Sequence, residues 1–510
     1  MSLLRCGGGV ICETAGHRGA GIVALSRGER AVFYGPQLFG KIAVPVPRKW
    51  RHTRVMMLGF PNFYRIIGSQ FLTNLTNSSG TESMQITLKT KPARLLLVSA
   101  EVAILLVLIG WVGKDYVADA LASRQIVDNL ERAVKLDPSN ADYHLRLGRV
   151  YEYSPSDLQL EKAEDHLRRA ANLNPYDPQP WLELAYALEF QGRTAEAGAY
   201  LRKVDFLAPN LPVYQWPIAN FYLLQGSVDE AFRHFRVVLA GTGQYDTNVF
   251  SLAWKATDDA EKILQQLIPE HVTTEFSYLN FLVSQGRLDA AQAVWKRIAT
   301  KREGFSAGQT SPLMDSLIGA HRAEEAYQVW TDLQKKGLIR YSSVPSEKNL
   351  IFNGDFEDEL LNFGFAWRIV PVEGAYAGLD TSTYHSPSHA VLVQFSGKAN
   401  LYYQHVYQYV KVSPGQSYRL QAFMKTESIT TDSGPRLEVQ DPYNAAALDK
   451  LTDNLTGTSD AWTPLLLDFA TGPKTTLIVV RLVRLPSKKF DNLIAGKVWL
   501  DDVQLAPLQK

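Results

Sequence analysis

The sequence predicts a multidomain chain: an all-α helical-repeat solenoid, then an all-β sandwich, with a single membrane-spanning helix ahead of both. Three observations in its 510 residues carry this reading. Pro175 and Pro209 stand 34 residues apart, with a recurring apolar phase between them. A 19-residue apolar run from Leu95 to Gly113 follows a cluster of bases. From residue 348 the pattern changes from helical period to strand alternation broken by turn signals.

In chain order, residues 1–83 come first. Residues 1–55 of these contain "CGGGV" and "GHRGAGIV", show no amphipathic period and carry little acidic charge. They read as a disordered cytoplasmic tail or as an extension from an early start codon. The second reading is favoured, with Met84 the more natural beginning, because a short basic stretch before an apolar run is how a signal-anchor opens. The only cysteines, Cys6 and Cys12, lie in this segment, so the rest of the chain can form neither disulfides nor thiolate zinc sites. Residues 84–94 form a basic flank with Lys89, Lys91 and Arg94. Residues 95–113 carry one charge, Glu101, and are long enough to cross a bilayer. An acid at mid-helix costs roughly 2.5–3.5 kcal/mol, and less ahead of the centre, where Glu101 sits. The bases keep the preceding side cytoplasmic, which places the chain in the inner (cytoplasmic) membrane as a single-pass protein with its later domains outside. A cleaved signal ending at Ala118-Asp119-Ala120 and a buried core helix are the alternatives.

Residues 118–337 hold about five or six helical pairs. The phase picks out Trp181, Leu184, Ala185, Leu188, Ala197, Leu201 and Val204. In the next copy it picks out Ile218, Ala219, Tyr222, Ala231, Phe235 and Val238. In the preceding copy it picks out Leu147, Gly148, Tyr151, Ala163, Leu167 and Ala170, with three extra residues near Ser154. Small residues sit where paired helices approach, and large ones fill the space between pairs. Gly192 and Gly226 occupy equivalent turns where a positive φ ends the first helix. The prolines close each second helix. Residues 248–269 and 311–337 read as divergent pairs. An ordinary helical bundle with accidental periodicity is the plain alternative. The pattern resembles the tetratricopeptide (TPR) repeat, W-x2-L-G-x2-Y…A-x3-F…P. That resemblance implies a TPR solenoid with a concave groove that binds a protein partner. Transferred positions are Arg149, Tyr153, Tyr186, Trp216 and Asn220, the last being the kind of residue that holds a peptide backbone. A solvated helical face is the bland reading of the same positions.

Residues 338–347 form a linker, and residues 348–510 read as strands such as "HAVLVQFSG", "YYQHVYQYVKV" and "TTLIVVRLVRL". Many short strands without helices between them indicate a jelly-roll sandwich. Its ends, "NLIFNGDFE" and "VWLDDVQL", resemble the bookends of carbohydrate-binding-module-like jelly rolls. The resemblance implies a structural Ca2+ held by Glu357, Asp501 and Asp502, with help from the 353–355 backbone; hard oxygen ligands suit that ion. Solvated or loop-capping acids are the alternative. Alternation places Tyr403, His405, Tyr407 and Tyr409 on one face, where Tyr403, Tyr407 and Tyr409 could form a sugar platform or half-buried core.

The net charge of +1 and the lack of a basic stripe interleaved with aromatics exclude a nucleic-acid partner. No H-E-x-x-H, G-x-S-x-G, Walker or Rossmann motif is present, so an enzyme is not expected. Asp355/Glu357 and Asp501/Asp502 could be recast as a glycosidase pair only with an open cleft between them. The leading expectation is a membrane-anchored extracytoplasmic scaffold whose repeats bind protein and whose sandwich binds glycan or protein, in bacterial envelope or exopolysaccharide assembly. The alternative is a structural assembly factor that binds no sugar.

Overall fold

The computed structural model describes residues 91–154, 158–241, 243–301, 304–342, 346 and 348–508. The expected tail (1–83) and the flank up to residue 90 lie outside them, as do 343–345 and 347 of the linker. The chain divides into two compact units, Met1–Leu207 and Ala208–Lys510.

The first unit opens on α1 (Lys91–Ala122), whose stretch Leu95–Ala122 is long and apolar enough to cross a membrane. No proline follows Gly113 to stop the helix, so the expected span 95–113 and the repeat start at 118 fall within one element. Leu96, Leu106, Val107 and Trp111 are exposed, whereas Ala118 and Ala122 are buried. Those alanines pack with Leu130 and Ala133 of α2 (Val127–Leu136) and with Tyr143 and Leu147 of α3 (Ala141–Tyr153). Tyr143 donates its hydroxyl proton to Asp119 Oδ1 at 2.5 Å. The apolar helix therefore supplies the first helix of the leading pair.

Helices α4 (Leu160–Leu173), α5 (Pro178–Phe190) and α6 (Thr194–Leu207) complete this unit. Asn140 and Asp177 accept the N–H groups of Asp142 and Gln179, and Pro178 takes the first helical position, where no N–H is needed. Gly148 is required by close approach: a Cβ there would lie 2.7 Å from Leu167 Cγ. The α5–α6 turn passes through Gly192 at φ +75°, with Arg193 N–H reaching back to Leu188 O at 2.9 Å.

The second unit continues the hairpins with α7 (Pro212–Leu224), α8 (Val228–Leu239) and α9 (Asp246–Ala256). Next is α10, Ala260–Lys262 continued by the π-turn Ile263–Leu267, so residues 248–269 form the expected divergent pair. Then come α11 (Val272–Ser284), α12 (Leu288–Ala299), α13 (Ser311–Gly319) and α14 (Ala323–Lys335). Gly226 and Gly286 take the left-handed turn at φ +75° and +68°; in the last pair His321 takes it at +62°.

The sandwich comprises β1 (Arg368–Ile369), β2 (Ala375–Asp380), β3 (Ala390–Ser396), β4 (Tyr403–Lys411), β5 (Ser417–Glu427), β6 (Arg436–Gln440), β7 (Asp449–Leu451), β8 (Thr463–Ala470), β9 (Leu477–Arg484) and β10 (Ala495–Pro507). They form two antiparallel sheets, ordered β1-β4-β9-β6-β7 and β2-β3-β10-β5-β8. Val391, Val393, Leu420, Met424, Val480, Val498 and Leu500 fill the space between the sheets.

A second apolar cluster joins the sandwich to the last hairpins. Phe352, Phe363, Phe365 and Leu477 are buried with Leu313, Leu317 and Trp330. Trp330 meets Phe352 and Phe363 edge-on at 5.4 and 5.8 Å. Polar contacts frame the cluster: Arg368 pairs with Asp315 at 2.6 Å, Lys411 with Glu324 at 2.7 Å, and Tyr443 donates to Ile318 O at 2.8 Å. This shared core explains why the compact units divide inside the repeats rather than at the 338–347 linker.

Candidate functional site

In the first unit, the repeat phase places Arg149 and Tyr153 on α3 beside Glu183 and Tyr186 on α5. Arg149 Nε donates to Glu183 Oε1 at 2.7 Å, and its terminal nitrogen also contacts that oxygen. Glu183 further accepts Gln179 Nε2 at 2.8 Å and the Tyr153 hydroxyl at 3.2 Å. Three expected groove residues, Arg149, Tyr153 and Tyr186, are thus drawn together around a carboxylate that the sequence reading did not single out. Glu152 joins them. Spacing gave no signal for it, because the three residues inserted near Ser154 align Tyr186 and Asn220 with Arg149 instead. Burial, then repulsion from Glu183, pushes the Glu152 carboxyl up to about 9 against the pull of Tyr153 and Arg149.

Trp216 and Asn220 lie on α7 of the second unit. Trp216 stacks on Tyr245 with centroids 5.1 Å apart and meets Phe235 edge-on at 5.5 Å. Asn220 Nδ2 donates to Trp216 O at 2.8 Å, which spends one amide proton on its own helix.

The sandwich bookends meet as expected. Val503 N–H donates to Gly354 O at 2.8 Å, and a Cβ on Gly354 would stand 2.0 Å from Val503 O, so only glycine fits. The acids beside this junction grip one loop. Glu357 Oε1 accepts the N–H groups of Ser388 and His389 at 3.0 and 2.9 Å, and Oε2 accepts the Ser388 hydroxyl at 2.5 Å. Asp501 Oδ2 accepts His385 N–H at 2.7 Å and Ser386 N–H at 3.0 Å. Asp502 accepts the Ser386 hydroxyl at 2.6 Å and lies 2.5 Å from His385 Nδ1. Burial would raise the Glu357 carboxyl, but the Ser388 and His389 donors outweigh it and hold it down to about 2. Burial pushes Asp501 up to about 6 despite its donors. No group of three or more His, Cys, Asp or Glu that could hold a metal ion is present among the described residues. As arranged, Glu357, Asp501 and Asp502 latch the 385–389 loop through hydrogen bonds.

The tyrosine platform is corrected. A register shift between Tyr403 and Val406 turns Tyr403 into the inter-sheet core, where it is 1% exposed beside Val406 and Val410. Tyr407 and Tyr409 do share the outer face, but that face meets the helices. Arg368 sits 5.9 and 5.4 Å from their ring centroids while bonded to Asp315, and Tyr409 packs against the shared core. The three tyrosines do not form an open platform.

The opposite sheet carries another aromatic surface, missed in the sequence reading. In β10, Val498 and Leu500 point into the core, which places Lys497 and Trp499 on the other face, where Trp499 is nonetheless covered and 4% exposed. Likewise Phe423 and Lys425 of β5 alternate with buried Ala422 and Met424. Trp499 pairs across the ladder with Lys425 and Leu392, and its indole N–H donates to Asp380 Oδ2 at 2.6 Å. His385 stacks on Phe423 at 3.8 Å and meets Trp462 edge-on at 5.6 Å. Tyr376 and Leu466 are 63% and 58% exposed at the two edges of this sheet. The alternation in "KVWLDDV" was the available signal.

No protein-family model matches the sequence, and no curated protein matches it. Solved structures do. A CBM4 structure shares 15% identity over 31% of this chain and 99% of its own, at a TM-score of 0.24. PilF of Pseudomonas aeruginosa shares 17% over 44% of this chain and 93% of its own, at 0.20. A tetratricopeptide repeat protein from Parabacteroides merdae shares 11% over 45% of this chain and 95% of its own, at 0.24. These likenesses concern fold only, and the fold stands on the 34-residue hairpin period and strand orders given above. The chain is a TPR-type helical repeat joined to a carbohydrate-binding-module-like β-sandwich.

Proposed function

We propose that the protein is a membrane-anchored scaffold whose repeat groove holds a segment of a protein partner and whose sandwich presents its β2-β3-β10-β5-β8 face to a glycan. One observation carries the glycan reading. The outer face of this sheet sets exposed Tyr376 and half-buried Phe423 among Gln394, Gln421, Lys425 and Lys497, with the 4%-exposed Trp499 packed beneath Lys497. Sugar rings stack on exposed aromatic faces and are oriented by such polar groups. The anchor reading rests on α1. Cleavage at Ala118-Asp119-Ala120 would cut the buried end of the helix and remove the acceptor of the Tyr143 hydroxyl. A scaffold held outside the membrane that touches both protein and polysaccharide suits bacterial envelope or exopolysaccharide assembly.

The test is affinity electrophoresis of the full chain in detergent through gels containing xylan, alginate or soluble cellulose, beside Tyr376→Ala and Phe423→Ala. Retardation by one polymer, reduced in both variants, is the expected result. Equal mobility in every polymer would leave a protein-only assembly factor.

A further inference from the structure

Arg149 and Glu152 on α3 face Glu183 and Tyr186 on α5, the next first helix of the first unit. Two carboxyl groups therefore meet one guanidinium. That guanidinium is committed to Glu183, which is only 1% exposed. Glu152 is 7% exposed, and its Oε2 has no hydrogen-bond partner. An unpaired buried anion costs several kcal/mol. Ionised, Glu152 would leave the cluster one positive charge short.

We propose that this part of the groove receives the ammonium or guanidinium of a lysine or arginine side chain of the partner, seated between Glu152 and Glu183 and flanked by Tyr153 and Tyr186. This rests on the groove reading above and names its ligand chemistry. An anionic segment would face two acids and an arginine that is already paired. The Arg149 side chain is 41% exposed and marks the side from which the cluster is reached. The protonated Glu152 carboxyl gives up its proton to solvent as the cation arrives, so one carboxylate–cation pair forms and one proton is released. The two tyrosines offer apolar ring surface to the aliphatic stem.

The test uses the full chain in detergent and an array of short peptides of uniform background, each carrying one Lys, Arg, norleucine or Glu. The preferred peptide is then titrated calorimetrically in two buffers of different ionisation enthalpy. Lys or Arg at one position should bind about tenfold or more tighter than norleucine, with release of about one proton per peptide. Glu152→Gln mimics the protonated acid and should fold; it should lose both the preference for a base and the proton release. Peptide binding without preference for a base, or without proton release, overturns this inference and spares the groove. No peptide binding at all overturns both.

Discussion

Replacing Trp330 by alanine tests whether the last hairpin and the sandwich form one cooperative body. The indole is fully buried, with Phe352, Phe363, Phe365 and Tyr341 at centroid distances of 5.4 to 6.4 Å. A buried tryptophan hides roughly 200 Å² or more, and at about 25 cal/mol per Å² its removal forfeits about 4 kcal/mol once the alanine methyl is allowed for. Four aromatic neighbours leave little room to collapse, so the loss stays within the roughly 3–5 kcal/mol range for such truncations. Hydrogen exchange read by mass spectrometry suits the question because it resolves elements. Amides of α14 and β4 should exchange about a thousandfold faster, since each 1.4 kcal/mol is a factor of ten. β3 and β10, whose core is a separate cluster, should change far less. Unchanged exchange in both α14 and β4 would refute a shared core.

Two glycines separate backbone strain from crowding. Gly226→Ala meets open space at φ +75° and should cost about 1 kcal/mol, whereas Gly364→Ala at φ +55° also places a Cβ 2.8 Å from the Trp330 ring and should cost about 3 kcal/mol in thermal melts. Equal losses would discount the Trp330 contact. Opposite pH effects should follow from Glu152 and Glu357. The raised Glu152 carboxyl favours the folded state fully below its unfolded value near 4.5, and that contribution is lost as pH rises toward about 9. Glu152→Gln should therefore flatten the alkaline fall in stability of the first unit, by about 1.4 kcal/mol per pH unit at most. The depressed Glu357 carboxyl contributes above 4.5 and loses that contribution as pH falls toward about 2, so Glu357→Gln should flatten the acid arm of sandwich unfolding. Urea midpoints across pH check both signs.

Local chemistry made much of the fold legible. Period, proline closure and the left-handed turns at Gly192 and Gly226 announce the hairpins, and alternation announces the strands. The Asn353-Gly354 junction with the last strand was also readable, since such bookends lie side by side. What stayed hidden depends on long-range contact. The register shift after Tyr403 breaks the parity on which the tyrosine platform rested. His321 adopts a turn conformation usually left to glycine, and its ring stacks 4.1 Å from Tyr443, more than a hundred residues away. No local pattern shows that Trp330 is matched by Phe352, Phe363 and Phe365. Nor does spacing alone reveal that the bookend acids face N–H donors of residues 385–389.

The unbroken run of α1 into the first hairpin has a mechanical consequence. At 1.5 Å per residue, the stretch Leu95–Ala122 spans about 42 Å, against a hydrocarbon thickness of about 30 Å. With α1 spanning a bilayer, roughly the last two turns, from about Lys114 and Asp115 onward, would stand clear of it as part of the first hairpin. A helix without a hinge transmits bending and torsion. With α1 in a membrane, a sideways load on the first unit becomes a tilt of the anchor, and spin about the helix axis is the one rotation left free. The first hairpin would then act as a stiff mast rather than a tethered float, with its groove held at a set height and inclination above the lipid.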